Sequence, residues 1–340
     1  MYTVNNMFSN KINSLDLFRG VAGYGVAISH FYYYFFDLNF FQFASIFFVE
    51  FFFVLSGFVL YPQLLKVYNN SSNLKVFYVR RWMRTIPPYL LALSAYSIFF
   101  LKFDSDSIKY LFFSQNLIEN FVDFDYFTIA WSLSVEEFFY LLFPLFLVFF
   151  YKIKFVKILA IFISLIYFLK IIKLFLIGSG EEFYRIGTFL RLDAIAFGVV
   201  TRIFLDKFLD LRINFFLLIL TSVLMYFFYL NIKEFNDLLN FLFILLIQIY
   251  SVNILLIFIR LDKYIRLESL IFFISLLSKQ TYSVYLFHFV VILMFKKYLN
   301  LIGIDLILLK YLIVLFVFST AFYYLFEKDI NNKRPVYKNL

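Results

Sequence analysis

Hydrophobic residues fall into long runs along the chain, and short polar connections separate these runs. Each run has about 17 to 25 residues, the length at which an α-helix crosses the hydrocarbon core of a bilayer. The pattern predicts ten spans, at residues 17–36, 44–65, 85–101, 131–151, 158–177, 187–205, 214–230, 238–259, 281–296 and 307–326. We therefore expect an all-α fold, a polytopic membrane bundle of about ten transmembrane helices. The bundle is expected to form a single domain over residues 1–340, with its helices at about 15–326 and a short tail at each end.

Lysine and arginine are divided unequally between the two sides of the predicted bundle. When successive connections are assigned to alternate sides of the membrane, one side receives about twice as many Lys and Arg residues as the other. The positive-inside rule makes that side cytoplasmic. We expect a multi-pass protein of a bacterial inner membrane, with both termini cytoplasmic and no cleaved signal peptide, because the first 16 residues contain no apolar core. The connection at residues 102–126 then lies outside and carries Asp104, Asp106, Glu119, Asp123 and Asp125.

The composition limits the chemistry that this bundle can perform. Hydrophobic residues make up 64% of the 340 positions, with 55 Phe and 27 Tyr, which excludes an ordinary soluble domain. The excess of 31 basic over 22 acidic residues lies between the apolar runs, so no nucleic-acid partner is expected. The chain has no cysteine and two histidines, His30 and His288. Thiol catalysis and a histidine-rich metal site are therefore excluded, and we expect neither a metal nor a permanently bound cofactor.

Three ionisable residues lie in the first hydrophobic stretch, LDLFRGVAGYGVAISHFYYYFF: Asp16, Arg19 and His30. An Asp or Arg at the centre of a bilayer costs roughly 2.5 to 3.5 kcal/mol, so these side chains are expected to face a polar interior of the bundle. His30 lies about 20 Å along the helix from Leu17. The aromatic cluster FYYYFF predicts an anchor at the membrane interface. The helix is thus expected to carry an arginine near one end of the interior and a histidine near the other.

The second span adds a carboxylate, Glu50, and a pair of small residues, Ser56 and Gly57. Helical geometry places Glu50 about 9 Å and Ser56 about 18 Å below Ala44, which marks the outer end. A carboxylate at this depth needs a partner, and His30 is expected at a similar level. Ser56 and Gly57 have two interpretations: a close contact between helices, or a hydroxyl in a functional site.

The fourth span presents Ser132, Glu136 and Tyr140 on one helical face, just inside Trp131, which marks the outer interface. Acidic residues inside membrane helices usually serve a functional site, and we predict this role for Glu136. The adjacent Glu137 points to another face and is interpreted as a paired structural carboxylate.

The connection after the second span holds three arginines within five residues, Arg80, Arg81 and Arg84. Arg81 and Arg84 are expected to share one face of a short helix that Pro87 and Pro88 end. One interpretation of the cluster is a topology signal that also contacts lipid headgroups. The other is a phosphate clamp, because closely spaced guanidinium groups bind phosphate oxygens in pairs.

Two later spans carry polar residues with open roles. Arg191 and Asp193 are two residues apart and do not face each other on a helix, so each is expected to form an ion pair with a different helix. His288 lies about 10 Å from the cytoplasmic edge if its helix begins at Thr281. It is either a histidine that is hydrogen-bonded between helices or a residue near a bound cofactor.

These stretches, in this order, resemble the motifs of acyltransferase family 3, membrane proteins that transfer acyl groups to exported sugars and related acceptors. The matching segments are LDLFRG, an Arg and a His separated by ten residues, EFFFVLSGF, RRWMR, WSLSVEEFFY, RLDAIAFG and TYSVYLFH. Two departures are Leu17-Phe18 where the family has Gly-Leu, and Glu50 where it has Asp. No hydrolase-like domain follows the last span, so the resemblance predicts the stand-alone form.

The resemblance implies that acyl-CoA, most often acetyl-CoA, binds from the cytoplasm and that a hydroxyl of a carbohydrate or glycolipid approaches from the other side. Arg81 and Arg84 would then bind the phosphates of the donor, with Arg19 continuing the positive track inward and His288 near the donor. His30 would act either as general base or as an acyl carrier, and the sequence leaves both open.

The remaining polar residues are expected to support this chemistry. Glu136 or Glu50 would orient the imidazole of His30, while Ser56 and Arg191 are candidates for stabilising the oxyanion. We expect Asp16 and Asp193 to bind substrate or to support the other site residues.

Two other functions fit a polar membrane bundle. A transporter or flippase of a lipid-linked glycan would use the buried charges to line a path, but the chain shows no internal repeat. A non-catalytic membrane subunit would leave the buried Arg, His and Glu without a purpose. Hydrolysis or exchange of acyl-CoA without acceptor separates an acyltransferase from a flippase.

Overall fold

The computed structural model describes residues 12–117, 121–122, 125–177, 183–208, 210–231, 237–298 and 305–338. Within these ranges the protein is all-helical and contains no strand. The acidic residues Glu119 and Asp123 of the predicted outer connection lie outside them. The helices are α1 Asn13–Phe36, α2 Asn39–Asn69, α3 Asn73–Phe100, α4 Ser105–Leu111, α5 Ala130–Phe149, α6 Phe155–Ile172, α7 Phe183–Ile186, α8 Leu192–Ile203, α9 Leu205–Phe208, α10 Leu211–Leu230, α11 Asp237–Leu261, α12 Glu268–Lys297, α13 Ile307–Phe322 and α14 Lys328–Asn332.

Every predicted span coincides with a helix in the described part of the chain. Seven helices, α2, α5, α6, α10, α11, α12 and α13, are long and apolar enough to cross a bilayer. The other three spans coincide with α1, α3 and α8, which are more polar or shorter. An all-α, multi-pass membrane protein is therefore confirmed, while the count of about ten crossings stays a prediction.

The predicted end of the basic helix at Pro87 and Pro88 is wrong. Helix α3 begins at Asn73, carries the three arginines in its first half and continues through both prolines to Phe100. Prolines are tolerated inside membrane helices because neighbouring helices can satisfy the carbonyl groups that they leave free. A neighbouring helix also contacts this part of α3, since Tyr282 of α12 donates to the carbonyl oxygen of Thr85, two residues before Pro87, at 2.9 Å.

The predicted start of the ninth span at Thr281 is also wrong, because α12 begins at Glu268. His288 therefore lies about 30 Å from the start of its helix instead of 10 Å from it, and His30 lies about 26 Å from the start of α1. The two histidines therefore lie at a similar depth, far from the start of either helix.

Helices α1 and α12 pack side by side in parallel. Three side-chain hydrogen bonds join them, Arg19 to Ser278, Tyr24 to Gln280 and His30 to His288, and the partners are separated by 259, 256 and 258 residues. The nearly constant separation means that the helices run in the same direction and in one register. Small residues permit the close approach, since a Cβ atom on Gly23 would lie 2.6 Å from Thr281 Cγ2.

Helices α2 and α8 cross with their backbones in contact. A Cβ atom on Gly57 would overlap the carbonyl oxygen of Ile195, and one on Gly198 would overlap that of Val54. The interpretation of Gly57 as a close helix contact is thus confirmed. This crossing also brings Arg191, which directly precedes α8, beside Glu50 of α2.

Candidate functional site

A polar cavity lies between α1, α2, α3, α5 and α12. The cavity has a volume of about 90 Å³, which is room for several waters or a slender chain. Its polar lining consists of Arg19, Ser56, Arg81, Arg84, Thr85, Ser132, Glu136, Tyr140, Thr281, Tyr282 and Tyr285. Five of the residues that the sequence analysis selected, Arg19, Ser56, Arg81, Arg84 and Glu136, therefore meet in one place.

Guanidinium groups dominate one end of the cavity, which we call the basic end. Arg81 and Arg84 both line it, as their shared helical face predicted. Arg81 is 7% exposed, and its guanidinium lies 5.2 Å from the ring centroid of Tyr140. Among the described residues, no carboxylate lies within ion-pair distance of Arg81 or Arg84, and Arg81 Nε has no hydrogen-bond partner. Buried cations without a paired carboxylate create a site that favours an anion.

Arg19 enters the same cavity from α1 and is held on its other side. Its Nη1 atom donates to Ser278 Oγ at 3.0 Å and lies 3.4 Å from Asp16 Oδ1. Ser278 in turn donates to Asp16 Oδ1 at 2.7 Å. Asp16 thus fixes the position of Arg19, and this explains how the first helix accommodates both charges.

Three hydroxyl and carboxyl groups form a cluster in the middle of the cavity. Tyr140 donates to Glu136 Oε2 at 3.1 Å, and its hydroxyl lies 2.7 Å from Ser56 Oγ. The predicted common face of Glu136 and Tyr140 is confirmed, and Ser56 joins it from α2. Ser56 therefore lies in the cavity while its neighbour Gly57 makes the helix contact, and a functional role of the Ser56 hydroxyl stays a prediction.

His30 and His288 form a hydrogen-bonded pair beyond the far end of the cavity. His30 Nδ1 lies 2.8 Å from His288 Nε2. His288 Nδ1 lies 2.7 Å from the carbonyl oxygen of Tyr285, which can only accept, so His288 Nδ1 carries a proton. In a neutral pair His288 Nε2 is then an acceptor and His30 Nδ1 is the donor. This leaves the lone pair on Nε2 of His30, the form that a general base requires.

One turn of α12 separates the histidine pair from the cavity. Tyr285 lines the cavity, its hydroxyl lies 2.5 Å from Ser132 Oγ, and its ring centroid lies 5.8 Å from that of His288. If Glu136 oriented His30, both would lie in one cavity, but in the described structure Glu136 lines the cavity and His30 does not. Tyr285, which lines the cavity, and His288, which bonds His30, lie between the cavity and His30.

The carboxylates predicted to orient His30 have other partners. Glu50 is ion-paired with Arg191, and both side chains are 1% exposed. Glu136 accepts from Tyr140. The orientation of His30 by Glu50 or Glu136 is therefore a wrong prediction, and His288 takes that place because the register of α1 and α12 aligns the two imidazoles.

The predicted separate partners of Arg191 and Asp193 are confirmed. Arg191 pairs with Glu50 on α2, whereas Asp193 Oδ2 accepts from Lys170 Nζ of α6 at 2.5 Å and from Gln248 Nε2 of α11 at 3.0 Å. All five side chains are buried. This network ties four helices together, and its contacts support the structural interpretation of Arg191 and Asp193.

Several residues of these clusters were not selected from the sequence. Lys170 interrupts the apolar run at 158–177, and a lysine inside a predicted span is a signal that could have found it. Ser278 and Tyr285 give no such signal, because serine and tyrosine occur throughout membrane helices. Only the packing of α12 against α1 and α5 identifies them.

Comparison with known proteins assigns the chain to a family of acyltransferases. The family model described as "Acyltransferase domain" matches residues 12–327. The matched region contains every residue of the cavity and both histidines. No solved structure matches the chain.

Curated relatives point in the same direction. The peptidoglycan O-acetyltransferase OatA of Listeria monocytogenes is 37% identical over 123 residues, which are 31% of this chain and 20% of OatA. YrhL of Bacillus subtilis, provisionally named a peptidoglycan O-acetyltransferase, is 34% identical over 119 residues, 29% of this chain and 19% of YrhL. SACOL0978 of Staphylococcus aureus, provisionally named an O-acetyltransferase, is 30% identical over 217 residues, 56% of this chain and 34% of that protein. The matches thus span about a fifth to a third of these relatives.

Proposed function

Because this chain belongs to the acyltransferase family whose model matches residues 12–327, we propose that it is a membrane-embedded O-acyltransferase. It moves an acyl group, which we take to be acetyl, from cytoplasmic acyl-CoA to a hydroxyl of a cell-surface or exported glycan. The names of the relatives support acetyl as the group, and two of those names refer to peptidoglycan, which supports a glycan acceptor. Acyl-CoA is a substrate in this proposal, so no resident cofactor is needed.

The observation that carries the proposal is a cavity with arginines at one end and a histidine pair just beyond the other. Acyl-CoA has a phosphate-rich nucleotide and a slender arm that ends in the thioester. Arg81 and Arg84 have the chemistry to bind the phosphates, and Arg19 extends the positive charge inward. The arm would lie along Glu136, Tyr140 and Ser56 and carry the thioester toward His30.

The lone pair on Nε2 of His30 supplies the base. The acceptor hydroxyl gives its proton to this nitrogen as its oxygen attacks the thioester carbon. The tetrahedral intermediate then breaks its carbon–sulfur bond, and the imidazolium returns the proton to the leaving thiolate. The products are the ester and CoA, so no net proton is released. In the alternative route the same nitrogen attacks the thioester first, the carbon–sulfur bond breaks, and His30 carries the acyl group as an acyl-imidazole while CoA leaves as the thiolate. The acceptor oxygen then attacks the acyl carbon, the carbon–nitrogen bond breaks, and the hydroxyl proton passes to the thiolate, so the products are the same.

The proposal is tested with the purified protein in lipid nanodiscs and radiolabelled acetyl-CoA. Wild-type protein is expected to hydrolyse acetyl-CoA slowly without acceptor, or to exchange its acetyl group into free CoA. His30→Ala is expected to lower this activity by roughly 100- to 10,000-fold while leaving donor binding intact, the range typical of a positioned base.

A matched control comes from Tyr34, whose ring centroid lies 6.3 Å from that of His30. Tyr34→Phe keeps the packing and is expected to retain activity. Wild-type protein that binds no acetyl-CoA and turns over none would overturn the proposal and would favour a glycan flippase.

A further inference from the structure

The segment at residues 333–338 lies across the basic end of the bundle, and we call it the C-terminal strap. Its Tyr337 ring is buried between the Lys66 ammonium, 5.0 Å from the ring centroid, and the Arg80 guanidinium, 5.1 Å from it. The Tyr337 hydroxyl donates to Gln63 Oε1 at 3.1 Å, and Arg80 Nη1 donates to the carbonyl oxygen of Pro335. The strap is therefore attached to both α2 and α3 next to the phosphate-binding arginines.

The buried side chain of Asn73 fixes the far end of the strap. Its Oδ1 accepts from the backbone nitrogen of Lys338 at 3.0 Å, and its Nδ2 donates to the carbonyl oxygen of the same residue at 3.3 Å. An amide that satisfies both backbone groups of one residue holds that residue in a defined position. Together with the buried ring of Tyr337, these two hydrogen bonds hold the strap in one position.

The strap brings a fourth arginine to the basic end. Arg334 is half-buried, and its Nε donates to the carbonyl oxygen of Asn331 at 2.9 Å. Burial, together with the charges of Arg84, Arg80 and Arg81, lowers the pKa of Arg334 to about 10. Arg334 therefore stays protonated at neutral pH and shares the electrostatic field of the other three arginines.

The acidic groups that face this cluster are too few to neutralise it. Arg84 interacts electrostatically with Glu136 in the cavity and with Glu327 beside α14, and Arg81 interacts with Glu137. Among the described residues, none of these carboxylates lies within ion-pair distance of the cluster. The four arginines Arg80, Arg81, Arg84 and Arg334 thus face three carboxylates without forming an ion pair with any of them in the described structure, and the charge of Arg19 is already paired with Asp16. Guanidinium groups held together by backbone carbonyls and an aromatic ring, and not by carboxylates, favour a ligand with several negative charges.

We propose that the C-terminal strap forms part of the donor site and that Arg334 binds a phosphate group of acyl-CoA. This inference rests on the proposed function and extends it to a segment outside the membrane helices. The nucleotide end of acyl-CoA carries a diphosphate and a separate 3′-phosphate, so it offers more phosphate oxygens than Arg81 and Arg84 can bind. Tyr337 and Asn73 act as anchors that keep Arg334 within the electrostatic field of the other arginines at the basic end.

The test measures the affinity of detergent-free nanodisc protein for acetyl-CoA by calorimetry. Arg334→Gln is expected to weaken binding about tenfold, as the loss of one charge-assisted contact to phosphate does. The matched control is Lys333→Gln, because Lys333 is the neighbouring basic residue of the strap and is exposed. It removes the same charge but should change the affinity less than twofold.

Two further measurements locate the contact. Dephospho-CoA lacks the 3′-phosphate, so an equal affinity of wild-type and Arg334→Gln protein for it would assign Arg334 to that phosphate. A tenfold loss with dephospho-CoA as well would assign Arg334 to the diphosphate. Tyr337→Ala, which releases the strap, should weaken acetyl-CoA binding as Arg334→Gln does, whereas Tyr337→Phe keeps the ring between its cations and should bind nearly normally.

Other results overturn the inference. Equal effects of Arg334→Gln and Lys333→Gln would mean that Arg334 contributes only distant charge, and tighter binding by Tyr337→Ala would mean that the strap blocks the site. A loss that occurs only in nanodiscs containing phosphatidylglycerol would assign Arg334 to lipid phosphate.

The combined Arg81→Gln and Arg84→Gln variant separates the two proposals. If wild-type protein binds acetyl-CoA, the combined variant does not, and Arg334→Gln protein binds normally, the inference fails and the proposed function stands. If wild-type protein does not bind acetyl-CoA, the proposed function fails.

Discussion

At the scale of single residues, the neighbour of His30 decides what its imidazole can do. A carboxylate would both orient the ring and stabilise its charged form, as in a serine-protease triad. His288 is neutral when its Nε2 accepts from His30, so it orients the ring without supplying a negative charge. The backbone carbonyl of Tyr285 sets the tautomer of both rings, and the free nitrogen of His30 therefore follows from the geometry of α12.

This geometry predicts that His288 acts as a positioning residue. His288→Ala should lower kcat for acetyl transfer about 100-fold, because a base that is misplaced by about 1 Å loses that much rate. KM for acetyl-CoA should not change, since His288 is remote from the arginines. His288→Gln should recover part of the rate, because its amide oxygen can accept from His30 Nδ1.

A comparison of kcat and KM for the three proteins checks this prediction. Rates that stay normal in His288→Ala would exclude an orienting role. A higher KM with normal kcat would instead support the sequence-based expectation that His288 lies near the donor.

At the scale of secondary structure elements, the crossing of α2 and α8 positions the buried ion pair of Glu50 and Arg191. Its two glycines let the backbones touch, and this contact sets the distance between Glu50 and Arg191. Breaking a buried ion pair typically costs about 3–5 kcal/mol, because one charge is left without a partner in a low-dielectric interior. A small displacement of α8 would therefore disturb both the packing and the charge pairs.

Gly57→Ala and Gly198→Ala should each destabilise the bundle by about 1–3 kcal/mol or more, since a methyl group at either position meets backbone that cannot rotate away. Gly20→Ala is the control. Its Cβ atom would lie 3.1 Å from the side-chain Cβ of Leu277, which a slight shift can accommodate. The melting temperature of each variant is measured by heating samples and then analysing them by size-exclusion chromatography. Equal melting temperatures for all three variants would contradict the backbone contact.

At the scale of the whole molecule, polar groups follow a line from the basic end to the histidine pair. The C-terminal strap and the arginines lie at one end, and Glu136, Tyr285 and the histidines follow toward the other. The proposed function, with its donor in the cytoplasm and its acceptor outside, requires the basic end of this line to face the cytoplasm. The unequal distribution of basic residues predicts that the basic end is cytoplasmic.

Single cysteines test this orientation, because the chain contains none of its own. Lys333→Cys in the strap and Phe103→Cys in the connection at 102–126 both alter exposed side chains. In intact cells or spheroplasts, a membrane-impermeant maleimide should label only the cysteine at 103, and permeabilisation should add labelling at 333. The reverse pattern would place the arginines outside and would remove the cytoplasmic route for acyl-CoA.

The sequence by itself determined the all-helical class, the membrane class and the family, because apolar run length, charge cost and motif order are local properties of the chain. It also required separate partners for Arg191 and Asp193, since two residues apart on a helix cannot face each other. It placed Glu136, Ser56 and the arginines at depths that allowed one cavity. These predictions depend on spacing within a single helix.

The tertiary structure decided which residue meets which. Contact between His30 and His288 depends on where α12 begins and on the register between helices 258 residues apart, and no local pattern encodes either. The same holds for Glu50, which the sequence placed near His30 in depth but which the α2–α8 crossing turns toward Arg191. Depth along a helix can be read from spacing, whereas direction around the bundle depends on packing between distant segments. For this reason the sequence supplied the candidate residues, and only the assembled bundle determined their partners.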